Sequence, residues 1–395
     1  MKSSVSARLR GFVDSTDRSP LAVAFRTAGL AFSIPYSLLV RFHRGLYDLR
    51  IRKSVQVPCP TISVGNLTMG GVGKSPFVAW LTEFLISRGR RPGLISRGYK
   101  SREQSSRFET KRLNEERDPI DEFARYRILN DEAREFALRF PSVPYFLGRD
   151  RVEVASALLR SRPELDALIL DDAFQHRRIA RDLDVVMIDA LNPFGGDRLP
   201  PSGFLREPAS SLARADVLLL NRADLVDDAT REAIRIRAQS YAPGAIWCEL
   251  AQRPRSVCRR VRLEASPDRF AIQETNLDEW RRNSAGSRVL AFCGLGAPAG
   301  FKKTLENVGI VPVATLEFPD HCVYAPNDLR RLADEAKRTN ADVLLTTMKD
   351  FVKFDGTEPL GRPLDALTIG VEFLVGREEF QRKTIQALER RPKPL

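Results

Sequence analysis

The segment Thr68-Met-Gly-Gly-Val-Gly-Lys-Ser75 constrains this chain more than any other part of its 395 residues. A short β-branched run, Thr61–Val64, precedes it, and Phe77, Val78, Leu81, Phe84 and Leu85 follow at helical spacing. Strand, glycine-rich turn and helix in that order aim backbone N–H groups of Gly70, Gly71, Val72 and Gly73 at one point beside a helix N-terminus. A phosphate is what such a point holds. Lys74 then reaches β- and γ-phosphates, and the Ser75 hydroxyl is a ligand for Mg²⁺. Thr68 stands where the usual pattern has glycine; with Met69 it completes the expected nucleotide-binding loop.

Around this loop the text alternates. Gly93–Ser96, Ala167–Leu170, Val185–Ile188 and Val217–Leu220 read as further buried strands separated by helical or irregular segments. That alternation predicts an α/β fold, a P-loop NTPase-type mostly parallel sheet covered on both faces. Ser101–Arg117 is polar and aperiodic, hence an exposed loop. Pro243–Arg269 mixes proline, arginine and short strand-like pieces and suits a ribbon or linker. Alternation then resumes with Val289–Cys293, a helix over Pro298–Val308, Val311–Leu316, Asn327–Arg338, Val343–Thr347 and Ala366–Phe373. The expected organisation is an N-terminal helical segment over 1–50, a P-loop core over 51–242, a connecting ribbon over 243–285 and a smaller α/β domain over 286–395.

A formal charge of +12 favours anionic partners: nucleic acid, acidic lipid or a phosphorylated substrate. The five cysteines show no CxxC pair and no metal-ligand spacing, which points to reduced thiols and a cytoplasmic setting. Thr27–Val40 is an uncharged, mostly apolar run of about 14 residues, short of the roughly 20 that span a bilayer. Pro35 interrupts it, and Arg41, His43, Arg44, Arg50, Arg52 and Lys53 follow. Three readings stand: a core helix, an interfacial helix whose basic flank faces acidic lipid, and, least supported by length, a true span.

Further polar residues sit at strand ends. Asp171 and Asp172 close Leu168–Leu170 and are followed by Gln175 and His176, an acidic pair suited to hold Mg²⁺ beside the loop. Asp189 is open between a turn cap and a site residue. His321, one of three histidines, lies in the loop Phe318-Pro-Asp-His-Cys-Val-Tyr324, where a base for an alcohol could stand. Asn221-Arg-Ala-Asp224 resembles the guanine-reading element of P-loop GTPases, with Arg222 in the lysine position. A GTPase or metallochaperone is therefore one alternative, and a non-catalytic membrane or nucleic-acid binder another.

Taken in order, several segments resemble the tetraacyldisaccharide 4'-kinase family of lipid A biosynthesis. They are Val64–Pro76, Ser96-Arg-Gly-Tyr99, Asn130-Asp-Glu132, Gly148-Arg-Asp-Arg151, Asp171-Asp-Ala-Phe-Gln-His176, Leu205-Arg-Glu-Pro208, Phe318–His321 and Thr347-Met-Lys-Asp350. The resemblance implies ATP and Mg²⁺ as cofactors. It implies transfer of the γ-phosphate to the 4'-hydroxyl of a tetraacyldisaccharide 1-phosphate, giving lipid IVA. It also implies an N-terminal helix on the cytoplasmic face of the inner membrane, and neither nucleic acid nor an obligate protein partner.

By the same resemblance Asp131 is the catalytic base, His321 its partner, and Tyr99 the aromatic that meets the nucleotide base. Asp171, Asp172, Glu132 and Gln175 form the metal site with Ser75, while Arg149, Arg151, His176, Arg206 and Glu207 fall on substrate-binding positions. Asn130 and Ala173 stand where the family has glycine.

Overall fold

The computed structural model describes residues 20–98, 131–263, 266–296, 298–320, 322–354 and 360–389. The first part runs α1 (Pro20–Asp48), β1 (Thr61–Asn66), α2 (Lys74–Ser87), β2 (Pro92–Ser96), α3 (Asp131–Arg139), β3 (Tyr145–Leu147) and α4 (Arg151–Ser161). It continues through β4 (Ala167–Asp171), β5 (Leu183–Asp189), β6 (Val217–Asn221) and α5 (Asp228–Tyr241). Two long strands follow, β7 (Ile246–Leu263) and β8 (Ser266–Asn276). The rest is α6 (Leu277–Asn283), β9 (Val289–Cys293), α7 (Pro298–Asn307), β10 (Ala314–Glu317), α8 (Pro326–Arg338), β11 (Val343–Thr347), α9 (Met348–Phe351), β12 (Leu364–Val375) and α10 (Arg377–Glu389).

All strands join one sheet in the order β10-β9-β11-β12-β7-β6-β5-β1-β4-β2-β3, with β8 hydrogen-bonded to β7. Pairing is parallel from β3 to the start of β7 and again from β10 to β12; only β7 with β12 and β7 with β8 are antiparallel. Buried runs such as Thr61–Asn66 and Val217–Asn221 fit a sheet covered on both faces. One face of β1 packs Ile62 and Val64 against Phe77, Leu81 and Leu85 of α2, and the other face of the sheet carries a second cluster around Val186, Leu218 and Ala238. Each of the Val, Ile, Leu and Phe side chains among these contributes roughly 1.5–3 kcal/mol on burial.

The register of β7 fixes how the two parallel halves meet. Its first residues pair with β6 as far as Leu250, opposite Asn221. Farther along, Val257 pairs with Leu367, which pairs with Thr347 at the end of β11. The strand thus runs about 20 Å from the carboxyl edge of the first half to that of the second, paired with β12 along the way. Because β11 runs opposite to β6, its carboxyl end points back, and the two carboxyl edges face each other.

Pro35 does not break the N-terminal helix: α1 continues from Pro20 to Asp48 with Pro35 inside it. A proline removes one helical donor, and Pro35 lies on the exposed side of α1. The opposite side is a seam of small groups. Ser33 Oγ donates to Leu199 O at 3.1 Å, and a Cβ on Gly29 would meet Ser202 Oγ at 3.0 Å.

Candidate functional site

Parallel pairing brings the ends of β1, β4, β5 and β6 to one edge, so Asn66, Asp171, Asp189 and Asn221 lie side by side there. The loop from Thr68 to Gly73 crosses this edge. Thr68 bridges Leu205, and Met69 N donates to Phe204 O at 2.6 Å. Around Gly70 and Gly71 the space is open, since a Cβ on either would touch nothing within 4 Å. Asn221 Nδ2 donates to Val72 O at 2.8 Å and Gln252 Nε2 to Gly73 O at 3.1 Å, fixing the loop from beneath. Gly73 adopts φ 74°, and a Cβ there would come within 2.6 Å of Asn221 Nδ2. No side chain caps α2, so its first N–H groups remain available to an anion.

Lys74 Nζ donates to Asn66 Oδ1 at 2.9 Å and lies 3.1 Å from Asp172 Oδ1. The same oxygen accepts from Arg206 at 2.7 Å. Burial pushes Asp172 up, but Lys74 and Arg206 outweigh it and hold the carboxyl below its usual range. Asp171 next to it is pushed up to about 7 by burial, with Lys74 only partly opposing. Its Oδ1 is buried without a hydrogen bond. The left-handed residue of this turn is Asp172, φ 51°, not Ala173, so the glycine-to-alanine difference costs nothing in backbone conformation. Gly65 makes the turn's approach possible: a Cβ on it would lie 2.5 Å from Phe174 Cβ.

Ser75, Asp171, Tyr145 and Glu132 line one cavity together with Glu135, one helical turn beyond Glu132 on α3. Burial pushes Glu135 up to about 7. Sequence reasoning passed over Glu135 because an acid within a helix carries no motif. Gln175 Nε2 donates to Asn66 O at 2.9 Å, closing the back of the acidic turn. Among the described residues, no group of three or more His, Cys, Asp or Glu side chains forms a metal cage.

Arg151 is 3% exposed, with NH1 on Arg149 O at 3.2 Å and Nε unpaired; Arg149 itself is exposed. Burial, then Arg151 and Arg181, lower His176 to about 4, leaving a neutral imidazole whose buried Nε2 has no partner. Glu207 faces away from Lys74: Arg214 donates to it at 2.9 Å, and Arg44 of α1 lies 3.7 Å away. Asp131 opens α3 and lies 3.7 Å from Lys353 Nζ. Tyr99 and His321 lie outside the described residues.

Two other strand-end residues are structural. Asp189 accepts from Leu191 N at 3.1 Å and pairs with Arg222 through Nε at 2.9 Å. Asp224, which would read a guanine edge, accepts from Arg253 at 2.6 Å.

An open helix N-terminus with a lysine beside it, facing buried acids at the next strand end, defines a P-loop phosphotransferase. The family model for tetraacyldisaccharide-1-P 4'-kinase matches residues 26–389. A tetraacyldisaccharide 4'-kinase of Halothermothrix orenii is 37% identical over 81% of this chain and 80% of its own length. One from Chlorobaculum parvum is 34% identical over 90% of this chain and 92% of its own. The solved structure of LpxK from Aquifex aeolicus in complex with ATP superposes with a TM-score of 0.68 at 27% identity, over 92% of this chain and 99% of that one. This chain belongs to the tetraacyldisaccharide-1-P 4'-kinase family.

Proposed function

We propose that the chain transfers the γ-phosphate of ATP to the 4'-hydroxyl of a tetraacyldisaccharide 1-phosphate, giving lipid IVA, at the site between Lys74 and Asp131. The observation that carries this reading is the uncapped start of α2 with Lys74 Nζ between Asn66 and Asp172. The β- and γ-phosphates rest on the N–H groups of Gly70–Ser75, and Lys74 neutralises them. Tyr99, by the family resemblance, is the aromatic that meets the nucleotide base.

Mg²⁺ fits the residues present, because Asp171 Oδ1 is a buried, unpaired acceptor in the cavity that Ser75 and Glu132 share. Ser75, Asp171 and Asp172 would hold it, with Glu132 and Gln175 around them. When bound it neutralises charge on the transferring phosphoryl group.

Asp131 accepts the proton of the 4'-hydroxyl, with His321 as its partner. The hydroxyl oxygen forms the new bond to phosphorus as the bond to the bridging oxygen of ADP breaks. Arg149, Arg151, neutral His176 and Arg206 offer donors to phosphate oxygens. Glu207 acts through Arg44, tying α1 to the loop that carries Arg206. We assign α1 to the cytoplasmic face of the inner membrane, where its exposed Ile34, Leu39 and Phe42 enter the interface. Among the described residues, no helix is long and apolar enough to cross a membrane. The stretch 243–285 serves as the ribbon between a core over 51–242 and a smaller domain over 286–395.

The test is incubation of the enzyme with ATP, Mg²⁺ and tetraacyldisaccharide 1-phosphate in detergent micelles, with the product mapped by mass spectrometry. One phosphate gained on the 4' oxygen is expected. A folded, ATP-binding enzyme that leaves the acceptor unchanged would overturn the reading.

A further inference from the structure

Thr347-Met-Lys-Asp350 is a motif to which the phosphate cradle gives no task. Thr347 ends β11, and its hydroxyl accepts from Asp350 N at 3.3 Å, capping α9. Asp350 is fully buried. Its Oδ2 accepts from Gly294 N at 2.8 Å and from the Thr347 hydroxyl at 2.9 Å, while Oδ1 accepts from Lys353 Nζ at 2.9 Å. Gly294 permits this approach, since a Cβ there would lie 2.9 Å from Asp350 Oδ1. The Lys353 side chain is only 9% exposed, and its ammonium reaches on to Asp131 Oδ2 at 3.7 Å.

The rest of α3 follows the same contact. Arg134 NH1 donates to Val352 O at 3.5 Å, and Leu138 packs against the core of the C-terminal half. Residues 131, 134 and 138 share one helix face. In the same motif Lys349 donates to Asp320, the residue before His321, at 2.9 Å.

We propose that Lys353 is the positioning residue for Asp131, with Asp350 as its anchor. The inference rests on Asp131 being the base of the transfer. An ammonium held in place by a buried carboxylate fixes one oxygen of Asp131 and leaves acceptor capacity on the carboxylate for the substrate hydroxyl. Lys353 neither gives nor takes a proton. It sets where the accepting oxygen stands relative to the half of the molecule that carries Asp320.

The competing role for Lys353 is neutralising Asp350, and a set of variants separates the two. Lys353→Met should lower kcat at least about tenfold, as a misplaced reacting group does, with KM for ATP unchanged. It also strands a buried charge, so Tm falls. Lys353→Met/Asp350→Asn removes both charges and should regain Tm but not kcat. Lys353→Arg should recover part of kcat. In single-turnover transfer, Lys353→Met should add nothing to the loss already caused by Asp131→Ala.

Wild-type kcat in Lys353→Met would overturn the proposal. Recovery of kcat together with Tm in the charge-free pair, or a full-size Lys353 effect without Asp131, would do the same. Wild-type turnover in Asp131→Ala would instead remove the base assignment itself, whereas an inactive Asp131→Ala beside a normal Lys353→Met would remove only the lysine's role.

Discussion

Asp171 and Asp172 are neighbours in the chain, yet one carboxyl is paired with Lys74 and Arg206 while the other is buried with an oxygen unmatched. That difference has a measurable consequence for the nucleotide-free enzyme. Folded Asp171 keeps its proton up to about pH 7, whereas the unfolded chain releases it near 3.8. The folded state binds more protons across that window, so its stability falls as pH rises from 3.8 to about 7. Asp171→Asn should flatten this part of the Tm profile, and an identical profile would show that Asp171 does not titrate there. The residues of the cradle were legible because glycines, Lys74 and Ser75 act within one turn, and Asp171 and Asp172, though distant in sequence, form an acidic pair at a strand end. Lys353 was not legible, because its partner Asp131 is far away in sequence. Nor was Gly65, whose need arises only where Phe174 packs on it.

At the scale of elements, α1 shows what binds it and what it leaves bare. Ser33 and Arg44 hold it to the loop around Leu199 and Glu207, while Leu39 is 66% and Phe42 67% exposed. Full burial of such a side chain is worth roughly 1.5–3 kcal/mol. Leu39→Ser/Phe42→Ser should therefore weaken cosedimentation with anionic vesicles at least about tenfold and leave Tm unchanged. Equal cosedimentation by the variant and the parent would contradict a membrane role for this face. The apolar run at 27–40 announced the helix, but its length and its passage through Pro35 did not follow from composition. Some short buried strands, such as Val343–Thr347, were read to the residue, whereas β3 (Tyr145–Leu147) was missed and Val311–Leu316 proved to be Ala314–Glu317. The 18-residue β7 was not, since arginines at 253, 255, 259 and 260 break the apolar pattern of the strand.

For the whole molecule, the consequence lies in how the two parallel halves are joined. The mostly parallel α/β class follows from alternation of strand and helix in the sequence. The antiparallel seam between β7 and β12 does not, because pairing of residues about a hundred apart leaves no local signature. That seam turns the carboxyl edges toward each other and brings α3, with Asp131 at its start, against the element that holds Lys353. The phosphate cradle and Asp131 thus lie on one side of a cleft and Lys353 on the other, and the central claim is that phosphoryl transfer needs both the cradle and Asp131. Its most direct test is transfer of labelled γ-phosphate from ATP to tetraacyldisaccharide 1-phosphate by the parent, Lys74→Ala and Asp131→Ala, with ATP binding measured in each. The account predicts that Lys74→Ala loses both binding and transfer, while Asp131→Ala binds ATP normally and transfers at least about 10²-fold more slowly. Parent-like transfer by a folded Asp131→Ala would contradict it.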